Sequence, residues 1–383
     1  MSEYAPIESE FGNAGFAEKR IRKLLAATGV EINGSNPWDI HVKNPAFYRR
    51  VALNGSLGLG ESYMDGWWDC ERIDELINRL LRSSLASNHR FLSHYVSKAQ
   101  ASLVNLQKKS RAFQVGEEHY DLGNDIYEAM LDSRMVYTCG FWKDATDLDT
   151  AQIEKLELVA KKLDLKPGQT VLDIGCGWGS FAKFAAENYG VKVVGITVSK
   201  EQVELGMERC KGLPVELRLQ DYRDLDDKFD HIMSLGMFEH VGHKNYRDYM
   251  KVVSRCLKDG GFFLLHTIGK YESRTGVDPW IAKYIFPNGE IPSLRQISAA
   301  TEELLVIEDV HNFGPDYDKT LMAWFNNFNA TWPTLKSNYS ARFYNMWKYY
   351  LHACAGAFRA RNLQLWQIVI SKGDTENAYR RPL

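Results

Sequence analysis

Several features are scarce in this 383-residue chain. There are six cysteines (Cys70, Cys139, Cys176, Cys210, Cys256 and Cys354), and no two form a C-x-x-C pair. That spacing argues against a disulfide framework or a zinc site and suits a reducing cytoplasm. No metal ligand set is expected. No stretch approaches the ~20 apolar residues needed to span a bilayer. The first residues lack a basic segment followed by an apolar run, so no secretory leader is expected. A charge excess is missing too, with 47 Lys+Arg against 49 Asp+Glu. Nucleic acid is therefore not an expected partner, because phosphate recognition calls for a basic surplus.

One absence is local. No Asp or Glu occurs between Leu76 and Gly116, while Arg79, Arg82, Arg90, Lys98, Lys108, Lys109 and Arg111 do. The stretch reads either as a solvated helical face or as a surface that rests on anionic lipid, where each basic group contributes roughly 1 kcal/mol.

At 45% hydrophobic residues the chain is long enough for two domains. Residues 1–12 read as a tail. Phe16 to Thr28 reads as an amphipathic helix with Ala17, Ile21, Leu24, Leu25 and Thr28 on one face. Trp38, Ile40 and Val42 alternate as in a short strand. Asn44-Pro45 suits a helix start. Gly55 to Trp68, with four glycines and three aromatics, reads as a loop under aromatic side chains. Helices are expected at about 71–85 and 89–107. A small, mostly helical domain is thus placed at 1–110 and a second domain at 111–383.

Beyond residue 150 the character changes. Helical patterns alternate with short apolar runs at 170–174, 191–196, 215–220, 229–235 and 262–268. Such alternation implies an α/β domain whose parallel sheet is covered on both faces. Two long aromatic-rich helices and an edge strand at Gln364–Ile370 close the chain. There are no internal repeats.

The sharpest local pattern is Val171-Leu172-Asp173-Ile174-Gly175-Cys176-Gly177-Trp178-Gly179, a buried strand, a glycine turn and a helix start. Glycines let the turn close tightly and let a ligand approach the backbone. The spacing is G-x-G-x-G, not the G-x-G-x-x-G of a dinucleotide site. The phrase resembles motif I of the Rossmann-like S-adenosylmethionine methyltransferases. That resemblance points to Asp173, Gly175, Cys176 and Gly177 as cofactor residues. Such enzymes commonly carry an acid after the second strand for the ribose; here Thr197, Ser199 and Gln202 stand in its place. Ser199 and Gln202 also have capping-box spacing. Asp221 and Tyr222, after the third strand, fit the adenine.

A denser resemblance covers almost the whole chain. It rests on Gly58-Leu59-Gly60-Glu61-Ser62-Tyr63-Met64-Asp65-Gly66-Trp67-Trp68, His119-Tyr120-Asp121-Leu122-Gly123-Asn124-Asp125, Gly236-Met237-Phe238-Glu239-His240-Val241-Gly242, Leu264-Leu265-His266-Thr267-Ile268-Gly269 and Ala353-Cys354-Ala355-Gly356-Ala357-Phe358-Arg359. Together these resemble the bacterial cyclopropane fatty acid synthases. Mycolic acid cyclopropane synthases are similar but lack the N-terminal domain, so the phospholipid-acting branch is expected.

The resemblance implies methylene transfer from S-adenosylmethionine to a cis double bond of a phospholipid acyl chain. A dry pocket must orient the alkene, and a base must remove one proton before the ring closes. In the family that base is a bound bicarbonate, and the matching positions are Cys139, Glu239, His266, Tyr317 and the backbone of Ile268. Tyr137 and Thr138 are implied as cofactor contacts, and Cys354 as a site residue that lines the pocket. A homodimer in the cytoplasm, docked peripherally on the inner face of the bilayer through the N-terminal domain, is implied as well. Taken singly, each residue also has a plain structural reading: Cys139 as core, His266 as a satisfied buried histidine, Glu239 near a helix start, Tyr317 as packing. Rival functions are lipid methylation without ring closure, a small-molecule methyltransferase, and a lipid-binding protein without activity.

Overall fold

The computed structural model describes residues 14–87, 123–373 and 379–382. The expected helix at 89–107, the boundary near 110, most of the acid-free stretch and residues 119–122 lie outside them. The chain forms two compact units. One comprises residues 1–100, 277–287 and 329–362, and the other 101–276, 288–328 and 363–383. The first unit is therefore built from three separate stretches of chain.

In the first unit, α1 (Ala14–Leu25) buries Ala17, Ile21 and Leu25, as its periodicity predicts, while Leu24 is exposed. The expected strand at 38–42 shrinks to β1 (His41–Val42), paired antiparallel with β2 (Trp68–Asp69). The next helix starts one residue later than expected, with Pro45 at the cap position, and Asn44 Oδ1 accepts from the Ala46 N–H at 2.9 Å just before it. That helix, α2 (Ala46–Met64), runs through the segment expected to be a loop. Gly55 breaks its regularity at φ +55°, and the chain resumes helix beyond it. The glycines that suggested a loop serve one kink and close packing. Helix α3 (Ile73–Ser87) packs on a helix from near the end of the chain, described below as α12.

The second unit holds α4 (Asn124–Met130), α5 (Leu148–Lys162), β3 (Thr170–Ile174), α6 (Ser180–Tyr189), β4 (Lys192–Thr197), α7 (Lys200–Arg209), β5 (Val215–Leu219), β6 (His231–Leu235), α8 (Tyr246–Cys256) and β7 (Phe263–Lys270). After α9 (Pro279–Tyr284) in the first unit come α10 (Leu294–Thr301), β8 (Val306–Asn312) and α11 (Pro315–Leu335). Helix α12 (Ala341–Arg359) belongs to the first unit, and β9 (Leu363–Ser371) returns to the second.

The sheet order is β5-β4-β3-β6-β7-β9-β8. Its first five strands run parallel, and β9 and β8 are antiparallel to their neighbours. This is the expected Rossmann-like α/β architecture. One expectation is corrected: β9 is not the edge strand. It is buried on both faces between β7 and β8, as its run Trp366-Gln367-Ile368-Val369-Ile370 requires. The edge is β8, whose Val-Ile-Glu-Asp-Val-His-Asn hides a strand behind charge because one of its sides is open.

Candidate active site

Chain order outward along β3-β4-β5 reverses at β6, so the ends of β3 and β6 flank a topological switch point, where α/β folds place their ligands. The glycine turn lies there. Gly175, Gly177 and Gly179 hold φ of +87°, +53° and +75°, which side chains rarely tolerate. A Cβ on Gly175 would stand 2.6 Å from the Met237 Cβ. The N–H groups of Gly175 and Cys176 both donate to the Ile196 carbonyl, tying the turn to β4. Asp173, at the end of β3, is almost fully buried, and burial pushes its carboxyl up to about 7 against the opposing charge of Lys155. A cationic ligand at the turn would restore the ionised form.

At the end of β4, Thr197 Oγ1 donates to Gln202 Oε1 at 2.6 Å. Ser199 caps α7, its Oγ accepting from the Gln202 N–H at 3.3 Å. Half of the capping box is therefore present, and the Gln202 amide is turned toward Thr197 instead. Asp221 caps a short 3-10 turn, and Arg223 engages both its oxygens through its N–H and its guanidinium, each at 2.9 Å. Tyr222 lies in the core against Tyr249, 5.1 Å between ring centres. Tyr137 packs between Tyr127 and Trp324. Thr138 is held twice: its Oγ1 accepts from Lys155 Nζ and its carbonyl from Gln152 Nε2, each at 2.8 Å.

The other predicted residues in this unit lie on β7 (His266, Ile268), on the turn after β6 (Glu239), on the loop before α5 (Cys139) and on α11 (Tyr317). Ile268 donates its backbone N–H to Glu239 Oε1 at 2.7 Å. The carboxyl of Glu239 is pushed up to about 7 by burial, against that hydrogen bond. Gln367 Nε2 and His266 Nδ1 are 3.3 Å apart. Burial, with Lys155 and Lys162 adding, holds His266 well below its usual pKa, so its ring is neutral. Glu239 Oε2 and His266 Nε2 are both buried without a hydrogen-bond partner among the described residues. Buried polar atoms are rarely left so, and two of them suit a small polar ligand. Cys139 Sγ is fully buried, 3.8 Å from Thr320 Oγ1, and burial raises its thiol well above the usual range. It is a neutral S–H group, not a nucleophile. Tyr317 stands one turn before Thr320 on α11, buried against Trp324.

Sequence reasoning overlooked three supporting residues. Thr320 Oγ1 accepts from the Gly140 N–H (3.1 Å) and from Trp142 Nε1 (2.9 Å), fastening the Cys139 loop to the helix of Tyr317. Lys155 is fully buried beneath Thr138, and burial lowers its ammonium to about 8. Gln367 is a polar residue inside a buried apolar strand, an anomaly visible in the sequence. Cys354 belongs to the other unit, on α12, half-buried, its thiol raised to about 12 by burial. The small residues around it have a packing reason: a Cβ on Gly356 would collide with the Asp74 carbonyl of α3.

The family model for mycolic acid cyclopropane synthetase matches residues 107–368. The chain belongs to that family. It is 58% identical over 360 residues to the cyclopropane-fatty-acyl-phospholipid synthase of Escherichia coli K12, covering 94% of both chains. It is 40% identical over 268 residues to a probable fatty acid methyltransferase of Pseudomonas putida, covering 66% of this chain and 68% of that one. Among solved structures, the Mycobacterium tuberculosis cyclopropane synthase MmaA2 superposes with a TM-score of 0.64 at 29% identity, over 68% of this chain and 98% of that one. The mycolic acid cyclopropane synthase CmaA1, complexed with SAH and CTAB, gives 0.63 at 31% identity, over 68% of this chain and 98% of that one. The chain is thus an enzyme of the S-adenosylmethionine-dependent methyltransferase class.

Proposed function

We propose that the enzyme converts cis-unsaturated acyl chains of membrane phospholipids into cyclopropane chains, with S-adenosylmethionine as one-carbon donor and a bicarbonate held by Glu239, His266, Cys139 and Tyr317. What carries the reading is the match to the E. coli phospholipid synthase, which spans 94% of both chains, N-terminal residues included. Two buried polar atoms without partners, Glu239 Oε2 and His266 Nε2, fit a small oxyanion.

When bound, S-adenosylmethionine supplies an electrophilic methyl sulfonium. Asp173 would face its cationic half, the turn at Gly175–Gly177 would let it lie against backbone, and the Gln202 amide would offer donors to its hydroxyls. When bound, bicarbonate supplies the base. His266 would donate to it from Nε2, and Glu239, its carboxyl pushed up to about 7 by burial, would share a proton with it instead of repelling it. Ile268 takes a different part from the one expected: its N–H orients Glu239. Cys139 lines the site as a neutral group, and buried apolar walls exclude water that would trap a cationic chain as an alcohol.

No helix among the described residues is long and apolar enough to cross a membrane. Peripheral docking on the inner bilayer face from the cytoplasm, as a homodimer, is the arrangement that suits a phospholipid substrate. The decisive test is mass spectrometry of vesicle phospholipids after incubation with S-adenosylmethionine. A gain of CH2 with loss of the double bond is expected. A gain of CH2 with the double bond retained would mean methylation without ring closure.

A further inference from the structure

We infer that Gln367 is the positioning residue that fixes the proton of His266 on Nε2, so that this edge of the ring faces the site as a hydrogen-bond donor. The inference deepens the proposed function, since the group that receives this bond is the bicarbonate of that reading.

The argument starts from strand register. In the antiparallel β7/β9 ladder His266 stands opposite Gln367, and in the β8/β9 ladder Gln367 stands opposite His311. Residues directly opposite share one face of the sheet. Three polar side chains therefore form a row across β7, β9 and β8. Gln367 is fully buried in this row, within a strand otherwise apolar from Leu365 to Ile370.

The amide nitrogen of Gln367 is 3.3 Å from His266 Nδ1. An amide N–H can only donate, so Nδ1 presents its lone pair, and a neutral imidazole then carries its hydrogen on Nε2. The opposite amide orientation would leave both N–H groups of Gln367 without an acceptor in the interior. The orientation found pairs one of the two N–H groups and leaves the carbonyl oxygen unpartnered among the described residues, the less costly of the two. At the far end of the row Lys162 Nζ lies 3.1 Å from His311 Nδ1. Burial with Lys155 and Lys162 nearby keeps His266 neutral, so the choice of tautomer, not of charge, decides what the ring offers.

Had Nδ1 carried the hydrogen, Nε2 would be an acceptor facing an anion, two lone pairs opposed. Gln367 touches neither cofactor nor lipid in this account. It acts through His266.

The test uses the full chain labelled with 15N-histidine, with His266→Gln identifying the resonances. The wild type is expected to show a pyridine-like Nδ1 and a pyrrole-like Nε2 at His266. In Gln367→Glu the carboxylate accepts from Nδ1–H and reverses the assignment. There kcat should fall on the order of 10²-fold, the range of a misplaced general acid or base, while cofactor Kd stays within about twofold. Gln367→Met, similar in volume and without a donor, should give mixed tautomers and an intermediate loss. A protonated Nδ1 in the wild type overturns the inference and needs no variant to fold. So does Gln367→Glu with a reversed tautomer and full activity. Full wild-type turnover in bicarbonate-depleted buffer would overturn the bicarbonate reading instead, because the tautomer is read from the spectrum alone.

Discussion

The two halves of the central sheet do different jobs and are built differently. The parallel half, β5-β4-β3-β6, makes its site from consecutive chain: strand, glycine turn and helix cap follow one another, from Asp173 to Gln202. The antiparallel half makes its site across strands. His266 and Gln367 are 101 residues apart and meet only because β9 runs back between β7 and β8. A ligand that must be gripped along its length suits the first construction. A single proton that must be placed suits the second.

The sharpest way to break this division is to strike the antiparallel half and look for damage in the other. His266→Gln in that half, and Glu239→Gln on the turn after β6 whose carboxylate is held by Ile268 of β7, are each expected to lower kcat by about 10²- to 10⁴-fold, while calorimetry finds cofactor affinity unchanged. Equal losses of affinity would merge the two halves into one site. The converse stroke is Asp173→Asn, expected to weaken S-adenosylmethionine binding roughly 10-fold or more, as for a lost charged contact. Because the Asp173 carboxyl sits at about 7 in the free protein, wild-type affinity should tighten as pH rises through 7. The Asn variant should lose that slope.

Lys155 lies beneath both halves, so its removal probes what they share. Its folded pKa of about 8 lies below the ordinary value of ~10.4. The folded chain therefore binds fewer protons than the unfolded one between those values, and this group's contribution to stability rises with pH across that window. Lys155→Met should remove this rise in denaturant titrations. It should also move the pH dependence of cofactor binding upward, because Lys155 no longer lowers Asp173. The smallest effect is expected for Thr320→Val, which strips the acceptor from Gly140 N–H and Trp142 Nε1. A loss of about 1–3 kcal/mol is expected in urea unfolding.

Legibility in the sequence followed the same division. The parallel strands and the glycine turn could be read because apolar runs and turns there follow chain order. The β8 edge was missed because one open side lets it carry Glu308, Asp309 and His311. Gly55 to Trp68 was misjudged because glycines that serve a kink and tight packing look the same as glycines that serve a loop. His266, Glu239 and Cys139 were found through family likeness, since each alone had a bland reading. Lys155, Thr320 and Gln367 left only weak marks, a charge or a polar group in an apolar pattern, and their partners are fixed by tertiary register. Cys354 was named through family likeness as a pocket-lining residue, whereas its neighbour Gly356 is small so that α12 can lie close to α3.

That last contact has a consequence for synthesis. Asp74 on α3 is fully buried, and Arg359 donates to it at 2.6 Å from 285 positions further along the chain. During translation α3 emerges long before α12 exists. The first unit must wait, incomplete, while nearly all of the second is made and can fold. The faces of α3 and α2 that α12 covers are thus without their partner for most of the ribosome's passage. For the same reason, cutting residues 1–105 away would not detach a module: it would strip α9 and α12 of the surfaces on which they fold.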